Sequence, residues 1–316
     1  MRQEFAHEPV MVGEIVDLFA PVPAGVVLDG TVGGGGHAAA LLEAYGHLRV
    51  VGIDRDPDAV AAAAARLARF GPRALVRQAR FDRFPVVLEE IGVPAGSLSG
   101  VLLDLGVSSP QFDRPARGFS YRVDAPLDMR MDPSAGPTAA ELLASMSEAD
   151  LAALLAANGE GRFARRIARA VLEARPATTG ELAAAVGSAL PAAVRRRRGH
   201  PARRVFQALR IAVNDELAVL ARTLPLAIEA VAPGGRIVVI AYHSGEDRLV
   251  KAAFATAVSG GCTCPPGLPC ACGAVALGRL IVRGARRPSP LEVARNRRAQ
   301  SARLRALERL APGGAA

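Results

Sequence analysis

Val26-Val27-Leu28-Asp29-Gly30-Thr31-Val32-Gly33-Gly34-Gly35-Gly36-His37 runs directly into a helix-forming stretch, Ala38 to Tyr45. A short β-branched run closed by an acid, then a glycine-rich loop, then a helix, make one strand–loop–helix unit. Such a loop lets backbone approach a ligand closely and aims the amides of a helix N-terminus at it. The pattern recurs at Val50 to Ile53, which ends at Asp54 and is followed by Pro57, placed where a first helical turn tolerates proline, and an Ala-rich stretch to about Phe70. Ala74 to Gln78 and Val101 to Leu103, the latter ending at Asp104, supply a third and a fourth strand. Apolar strands alternating with helices predict an α/β fold, a Rossmann-like parallel sheet covered on both faces, with its ligands beyond the carboxyl ends of the strands. Asp29, Asp54 and Asp104 all fall at such ends.

From Phe112 the rhythm changes. A stretch rich in Asp, Pro, Gly and Met runs to Pro137, and helical periodicity without strands follows to about Arg210. Strand character returns after the helix Asp215 to Val231, with Gly234-Gly235 leading into Arg236 to Tyr242. The expected organisation is a core over residues 1–111, an inserted all-helical domain over 112–214, and the rest of the core over 215–316. Leu280 to Arg283 reads as a further strand, and the composition of Ser301 to Leu310 favours a helix.

The chain has 316 residues, half of them apolar and 22% charged, which excludes wholesale disorder. Its net charge is +9, and all but one of its 39 basic residues are Arg, the exception being Lys251. Residues 1–137, 138–222, 223–278 and 279–316 carry net charges of −4, +5, 0 and +8, so the basicity sits in two segments. Arg195 to Arg198 with Arg203 and Arg204, and the Arg286 to Arg305 region, are the candidate surfaces for an anionic partner; a merely solvated Arg-rich face is the competing reading. Met1 to Glu14 does not resemble a secretory signal, and the expected location is cytoplasmic. The uncharged stretch Ala252 to Gly278 contains Pro265, Pro266, Pro269 and five glycines, which would break any spanning helix, so no membrane partner is expected. All four cysteines, Cys262, Cys264, Cys270 and Cys272, lie there. Their one-residue gaps are tighter than usual zinc-ligand spacing, so a reduced loop without metal is the preferred reading over a structural zinc site.

The glycine loop by itself leaves the chemistry open. Gly33-x-Gly35-x-x-Ala38 matches the dinucleotide fingerprint in its Gly/Ala form, which would suit a nicotinamide enzyme. Asp29 with Gly30, Gly33 and Gly35 looks more like the acid-G-x-x-G-x-G variants that bind S-adenosylmethionine. In either case an acid at the end of the second strand, Asp54, can accept ribose hydroxyls. The fourth strand discriminates: Ser109-Pro110-Gln111-Phe112 resembles the S-P-P-Y/F tetrapeptide of methyltransferases acting on exocyclic amino groups of bases, with Gln111 in place of the second Pro.

More than the tetrapeptide matches. His7-Glu8-Pro9-Val10, Gly30 to His37, Asp54-Arg55-Asp56-Pro57, Leu103 to Gln111, Arg117-Gly118-Phe119-Ser120, Leu127-Asp128-Met129-Arg130-Met131-Asp132, Phe163 to Arg169 and Phe206 to Ile211 together resemble the ribosomal RNA small subunit methyltransferase H family, also called MraW. The resemblance runs from about His7 to Leu307. It implies S-adenosyl-L-methionine-dependent N4-methylation of a P-site cytidine in 16S ribosomal RNA of the small ribosomal subunit, a Rossmann-like catalytic sheet and a helical insert for substrate recognition. It also implies cofactor contacts at Gly35, Gly36, His37, Asp54, Phe81, Asp104 and Gln111; Phe81 follows the third strand, where its ring is a candidate to stack on adenine and a core phenylalanine is the competing reading. It implies a closing strand over Ser301 to Leu310, and this reading is preferred to the helix.

Two departures stand out. Gly245, in Tyr242-His243-Ser244-Gly245-Glu246-Asp247-Arg248, occupies a position where the family usually has Leu, and Asn296-Arg297-Arg298 lacks the Pro common after the Asn. For catalysis, Asp104, the Ser109 hydroxyl and the Pro110 carbonyl are candidate acceptors for the amine hydrogens, and Phe112 for stacking on the base. His243 can relay the released proton or serve as a buried structural histidine. A DNA amino-methyltransferase and a non-enzymatic RNA-binding module are the rival classes.

Overall fold

The computed structural model describes residues 9–108, 111–112, 114–195, 200–265 and 271–311. It divides into two compact units, one made of residues 1–106 and 217–316 and the other of 107–216. The boundaries thus fall at Gly106/Val107 and Glu216/Leu217 rather than at 111/112 and 214/215.

In the first unit the strands are β1 (Gly25–Asp29), β2 (Leu48–Asp54), β3 (Ala74–Gln78), β4 (Leu98–Asp104), β5 (Val231–Ala241), β6 (Gly278–Leu280) and β7 (Arg303–Arg309). They form a seven-stranded sheet in the order β3-β2-β1-β4-β5-β7-β6. The first five run parallel, and β7 is antiparallel to both neighbours. The expected α/β architecture is therefore present. The order reverses between β1 and β4, which opens a crevice at their carboxyl ends.

Alternate residues of each strand feed the two faces. Val27, Val50, Leu102, Val238 and Ile240 pack under α1 (Val12–Phe19), α2 (Gly36–Ala44) and α3 (Pro57–Leu67). Leu28, Val51, Ile53, Leu103 and Val239 face α4 (Phe84–Glu90) and the later helices. Both faces are covered, which is why the strands read as nearly continuous apolar runs.

The C-terminal segment corrects the compositional reading. Residues 303–309 are a strand, because β7 is inserted between β5 and β6 and buries Leu304, Ala306 and Leu307. Arg236 donates to Glu308 at 3.2 Å across that ladder. Two-sided pairing outweighs the helix propensity of Leu, Arg and Ala, which is worth only tenths of a kcal/mol per residue. The strand expected at Leu280 to Arg283 lies earlier, at Gly278–Leu280; beyond it Ile281 makes one more ladder bond, to Ala306 O at 3.1 Å, before the chain bends away.

The second unit is helical: α5 (Ala139–Ser145), α6 (Glu148–Leu155), α7 (Ala164–Ala174), α8 (Thr179–Ala189), α9 (Ala192–Arg195) and α10 (Arg203–Asn214). Thr138–Glu141 and Thr178–Glu181 are capping boxes, and Ser147 caps α6. Its core joins Leu143, Leu155, Ile167, Val186, Phe206 and Leu209 to Met129 and Met131. The Leu127-Asp128-Met129-Arg130-Met131 stretch is held by polar pins. Arg130 forks onto Asp128 at 2.8 and 2.9 Å, and buried Asn214 accepts from Met131 N at 2.9 Å and donates to Met129 O at 2.8 Å. This motif therefore fixes a loop against the helical core. Helix α11 (Glu216–Ala230) returns the chain to the sheet, where α12 (Ser244–Ser259) and α13 (Pro290–Arg295) complete the first unit.

Among the described residues no helix is long and apolar enough to cross a membrane.

Candidate active site at the carboxyl edge of the sheet

Neighbouring strands bring Asp29, Asp54 and Asp104 to one edge. Asp29 pairs in register with Gly52 and with Leu102, so the other two acids stand two residues beyond it on either side. The glycine loop is stitched across both neighbours. Val32 donates to Ile53 O at 3.0 Å, Gly30 to Leu102 O at 2.9 Å, and the Asp104 amide to Thr31 Oγ1 at 2.6 Å. Gly35 closes the loop with a 2.7 Å bond to Val32 O and enters α2 at φ 75°, a left-handed conformation that glycine adopts without strain. A Cβ on Gly36 would lie 2.3 Å from Pro9 Cγ, so the N-terminal segment packs directly on the start of α2.

Asp54 accepts from the Gly33 amide at 3.0 Å and from the Asp56 amide at 2.9 Å, and Asp56 in turn caps α3 through Asp58 N at 3.0 Å. Burial raises the Asp54 carboxyl to about 6 despite these two amides. Asp29 is raised to about 8, chiefly by burial and further by the Asp104 and Asp54 charges, against the Thr31 amide that lowers it. Asp104 is also raised by burial, with His37 and the Tyr242 hydroxyl opposing.

Around Asp104 the structure sets Tyr242, which sequence reasoning did not assign, beside His37, which the resemblance names. Tyr242 donates its hydroxyl to Asp104 Oδ1 at 2.7 Å, and His37 Nδ1 lies 3.7 Å from Oδ2. His37 Nε2 is 2.9 Å from Val10 O. A carbonyl only accepts, so Nε2 carries the hydrogen and Nδ1 faces the carboxylate. The His37 side chain is thus committed to Val10 and Asp104, leaving the backbone at the start of α2 to meet a ligand. Thr31, Tyr242 and Asp29 belong to this constellation, and the visible signals were the acid at the first strand end and the polar run beginning at Tyr242.

His243 caps α12: its Nδ1 accepts from the Gly245 and Glu246 amides at 3.2 and 3.4 Å. Glu246 reaches back to the Tyr242 and His243 amides at 2.8 and 3.1 Å. A Cβ on Gly245 would lie 3.1 Å from the His243 ring, so the missing Leu side chain leaves room for that ring over the helix end. This is a structural role, which the proton relay does not require. Phe81 opens a short 3-10 turn after β3 and is half-buried against the sheet core.

Ser109 and Pro110 lie outside the described residues. In the second unit, Gln111 is buried and its Oε1 accepts from Ser108 N at 3.0 Å, so its carbonyl holds its own turn; Phe112 is 40% exposed.

The two basic segments also resolve in part. Arg196 to Arg198 lie outside the described residues, while Arg195 and Arg203 are exposed and Arg204 donates to Gly159 O at 3.1 Å. Arg305 grips Asp247 at 2.7 and 3.2 Å and Arg303 does so at 2.9 Å, so these two serve the fold. Exposed Arg286, Arg287, Arg295 and Arg297 remain as surface charge, and Arg287 lines a cleft with Tyr242, Ser244, Gln300 and Arg303.

The buried acids predict a pH dependence of stability. The folded protein holds the Asp29 proton to about pH 8, whereas the unfolded chain releases it near 3.8. This contribution is complete below the unfolded value and is lost as pH rises through the folded one. The Asp29→Asn variant keeps an acceptor for the Thr31 amide and removes the titration. Urea unfolding should find it more stable than the parent by roughly 1–3 kcal/mol near pH 8.5, with the gap closing toward pH 4. A gap that does not change with pH would mean that Asp29 ionises normally.

Comparison with known proteins shows which family the chain is similar to. The model of the MraW methylase family matches residues 4–310. A ribosomal RNA small subunit methyltransferase H from Heliobacterium modesticaldum is 49% identical over 312 residues, covering 97% of this chain and 99% of its own. Proteins of the same name from Nocardioides sp. and Anaeromyxobacter dehalogenans are each 50% identical, covering 98% of this chain and 99% and 100% of theirs.

Proposed function

This chain belongs to the MraW methylase family, and on that premise we propose that it methylates the exocyclic N4 of a P-site cytidine in 16S ribosomal RNA of the small subunit. It is a methyltransferase and its cofactor is S-adenosyl-L-methionine. The names of the curated relatives support a small-subunit ribosomal RNA substrate. The choice of an exocyclic amine rests on the Ser109-Pro110-Gln111-Phe112 tetrapeptide and on the family resemblance.

The observation that carries the reading is the trio of desolvated carboxylates around a glycine loop. Ionising Asp29 and Asp54 is disfavoured by burial, with pKa values raised to about 8 and about 6, so a cationic ligand bearing a diol suits this edge. S-adenosylmethionine, when bound, supplies a methyl group already activated on a sulfonium. Asp54 would hold the ribose hydroxyls, the amides at the start of α2 the amino-acid end, and Phe81 the adenine face, with Gly35, Gly36, His37, Asp104 and Gln111 as further cofactor contacts. What remains for the protein is alignment. The N4 lone pair of cytosine is delocalised into the ring, and an acceptor gripping an amine hydrogen favours a more tetrahedral nitrogen. Asp104, oriented by the Tyr242 hydroxyl, is the charged acceptor; Ser109 and the Pro110 carbonyl are the others, and Phe112 stacks on the base. A base must leave its stack to reach such a pocket, which favours single-stranded or distorted RNA.

The test is methyl transfer from tritiated cofactor to small subunits lacking the modification, followed by nucleoside analysis. N4-methylcytidine at one P-site position is the expected product. Label in duplex DNA instead, or in a base other than cytidine, would overturn the assignment.

RNA docking on the basic cluster makes a separate prediction. Replacing Arg195 to Arg198 with Ala should weaken RNA binding broadly and flatten its salt dependence by about 0.7 in slope for each phosphate that is no longer neutralised, with cofactor affinity hardly moved. Equal affinity and slope in the quadruple variant would leave that cluster as a solvated face.

A further inference from the structure

The cysteine loop lies outside this chemistry. Helix α12 ends at Gly260, whose φ of 62° is left-handed, and a Cβ there would come within 2.3–2.7 Å of the Val275 backbone. Only glycine permits that approach, and it brings the outgoing and returning arms of the loop together. The closure is reinforced by Leu277 N–H to Ala257 O at 2.7 Å, while Gly261 N–H to Thr256 O at 3.1 Å caps the helix end. The loop therefore leaves α12 and returns to edge strand β6 through one narrow neck.

Inside it, the Sγ atoms of Cys262, Cys264 and Cys272 all lie within 4.8 Å of one another. Cys272 Sγ is 3.6 Å from Cys262 Sγ, and the Ala271 amide points at Cys264 Sγ at 3.4 Å. Four sulfurs about 2.3 Å from a tetrahedral zinc stand about 3.8 Å apart, which is close to the separation seen here and far beyond a sulfur–sulfur bond. An amide aimed at a sulfur stabilises a thiolate, as outer hydrogen bonds do for metal ligands generally. Cys262 and Cys264 are half-buried and Cys272 is exposed, so a metal can reach the trio from solvent.

We propose that Cys262, Cys264 and Cys272 bind one zinc ion as thiolates, forming a structural site that ties the loop after α12 to the edge of the sheet. Each Zn–S bond replaces an S–H bond, and the proton leaves to solvent. Cys270, the remaining cysteine, lies outside the described residues. The tight one-residue gap that argued against a metal in the sequence matters less than expected, because it is the neck of the loop that brings the two cysteine arms together.

The test uses the full chain purified without chelator or a metal-affinity step. Elemental analysis should find about one zinc per chain, and exchange with cobalt(II) should give the intense visible and charge-transfer bands of tetrahedral thiolate coordination. The Cys262→Ser/Cys272→Ser variant should lose more than about nine-tenths of the zinc and the cobalt bands. Its S-adenosylmethionine affinity should stay at the parental value, which reports that it is folded and separates this site from the methyl-transfer reading. Zinc below about one-tenth per chain with no bands after cobalt is added to reduced protein would overturn the proposal. So would parental zinc content in the double variant.

Discussion

Asp54→Ala should weaken S-adenosylmethionine binding by about 2–4 kcal/mol, a loss of roughly 30- to 1,000-fold in affinity, while the protein still folds. The size follows from the hydrogen bonds removed: two ribose hydroxyls bonded to one carboxylate, each charge-assisted bond being worth about 1.5–3 kcal/mol and the pair less than additive. Among the described residues the same carboxylate accepts the Gly33 and Asp56 amides. Both belong to loops at a ligand-accessible edge, where water can replace the carboxylate, so the fold should survive. Calorimetry supplies the affinity and a thermal scan the control. Asp54→Asn, which retains an acceptor but not the charge, should fall between parent and Ala. Unchanged affinity in both variants would remove Asp54 from the cofactor site.

Asp104→Asn should slow the chemical step about 10- to 100-fold under single-turnover conditions at saturating cofactor. An amide can still accept from Tyr242 or from an amine, but it lacks the charge that favours hydrogen-bond donation from cytosine N4. Tyr242→Phe removes the 2.7 Å bond that orients Oδ1 and should cost less, with cofactor affinity nearly intact. Phe112→Ala should likewise depress turnover more than cofactor affinity, whereas Asp104→Ala should harm both. If Asp104→Asn turned over like the parent, the carboxylate would have no part in activating the amine.

Much of this was legible along the chain because the relevant signals are local. A β-branched run, an acid and a glycine loop are consecutive residues, so β1, β2, β3 and the loop between Gly30 and His37 could be read from adjacency alone. Ordered motifs from His7 to Leu307 then pointed to one family. The all-helical character of residues beyond 137 followed from periodicity, another short-range property.

The rest needed partners distant in sequence. Residues 303–309 have helix-favouring composition; the family resemblance gave the closing strand that is observed, but its physical cause, insertion between β5 and β6, is not written in the segment itself. Tyr242 reaches Asp104 across 138 positions, and Thr31 meets the Asp104 amide across 73. The polar run beginning at Tyr242 marks the segment, but nothing local to it names Asp104 as the partner. The charge count of the C-terminal segment overstated its free basicity, because Arg303 and Arg305 are engaged by Asp247 in α12. His243 could be a relay in sequence, but with the helix in view it is a cap. The His243 cap is local, made with the Gly245 and Glu246 amides, but one reason runs through the other three cases. Spacing and composition fix what a residue can do with its neighbours in the chain, whereas pairing, burial and charge neutralisation depend on which distant backbone folds against it.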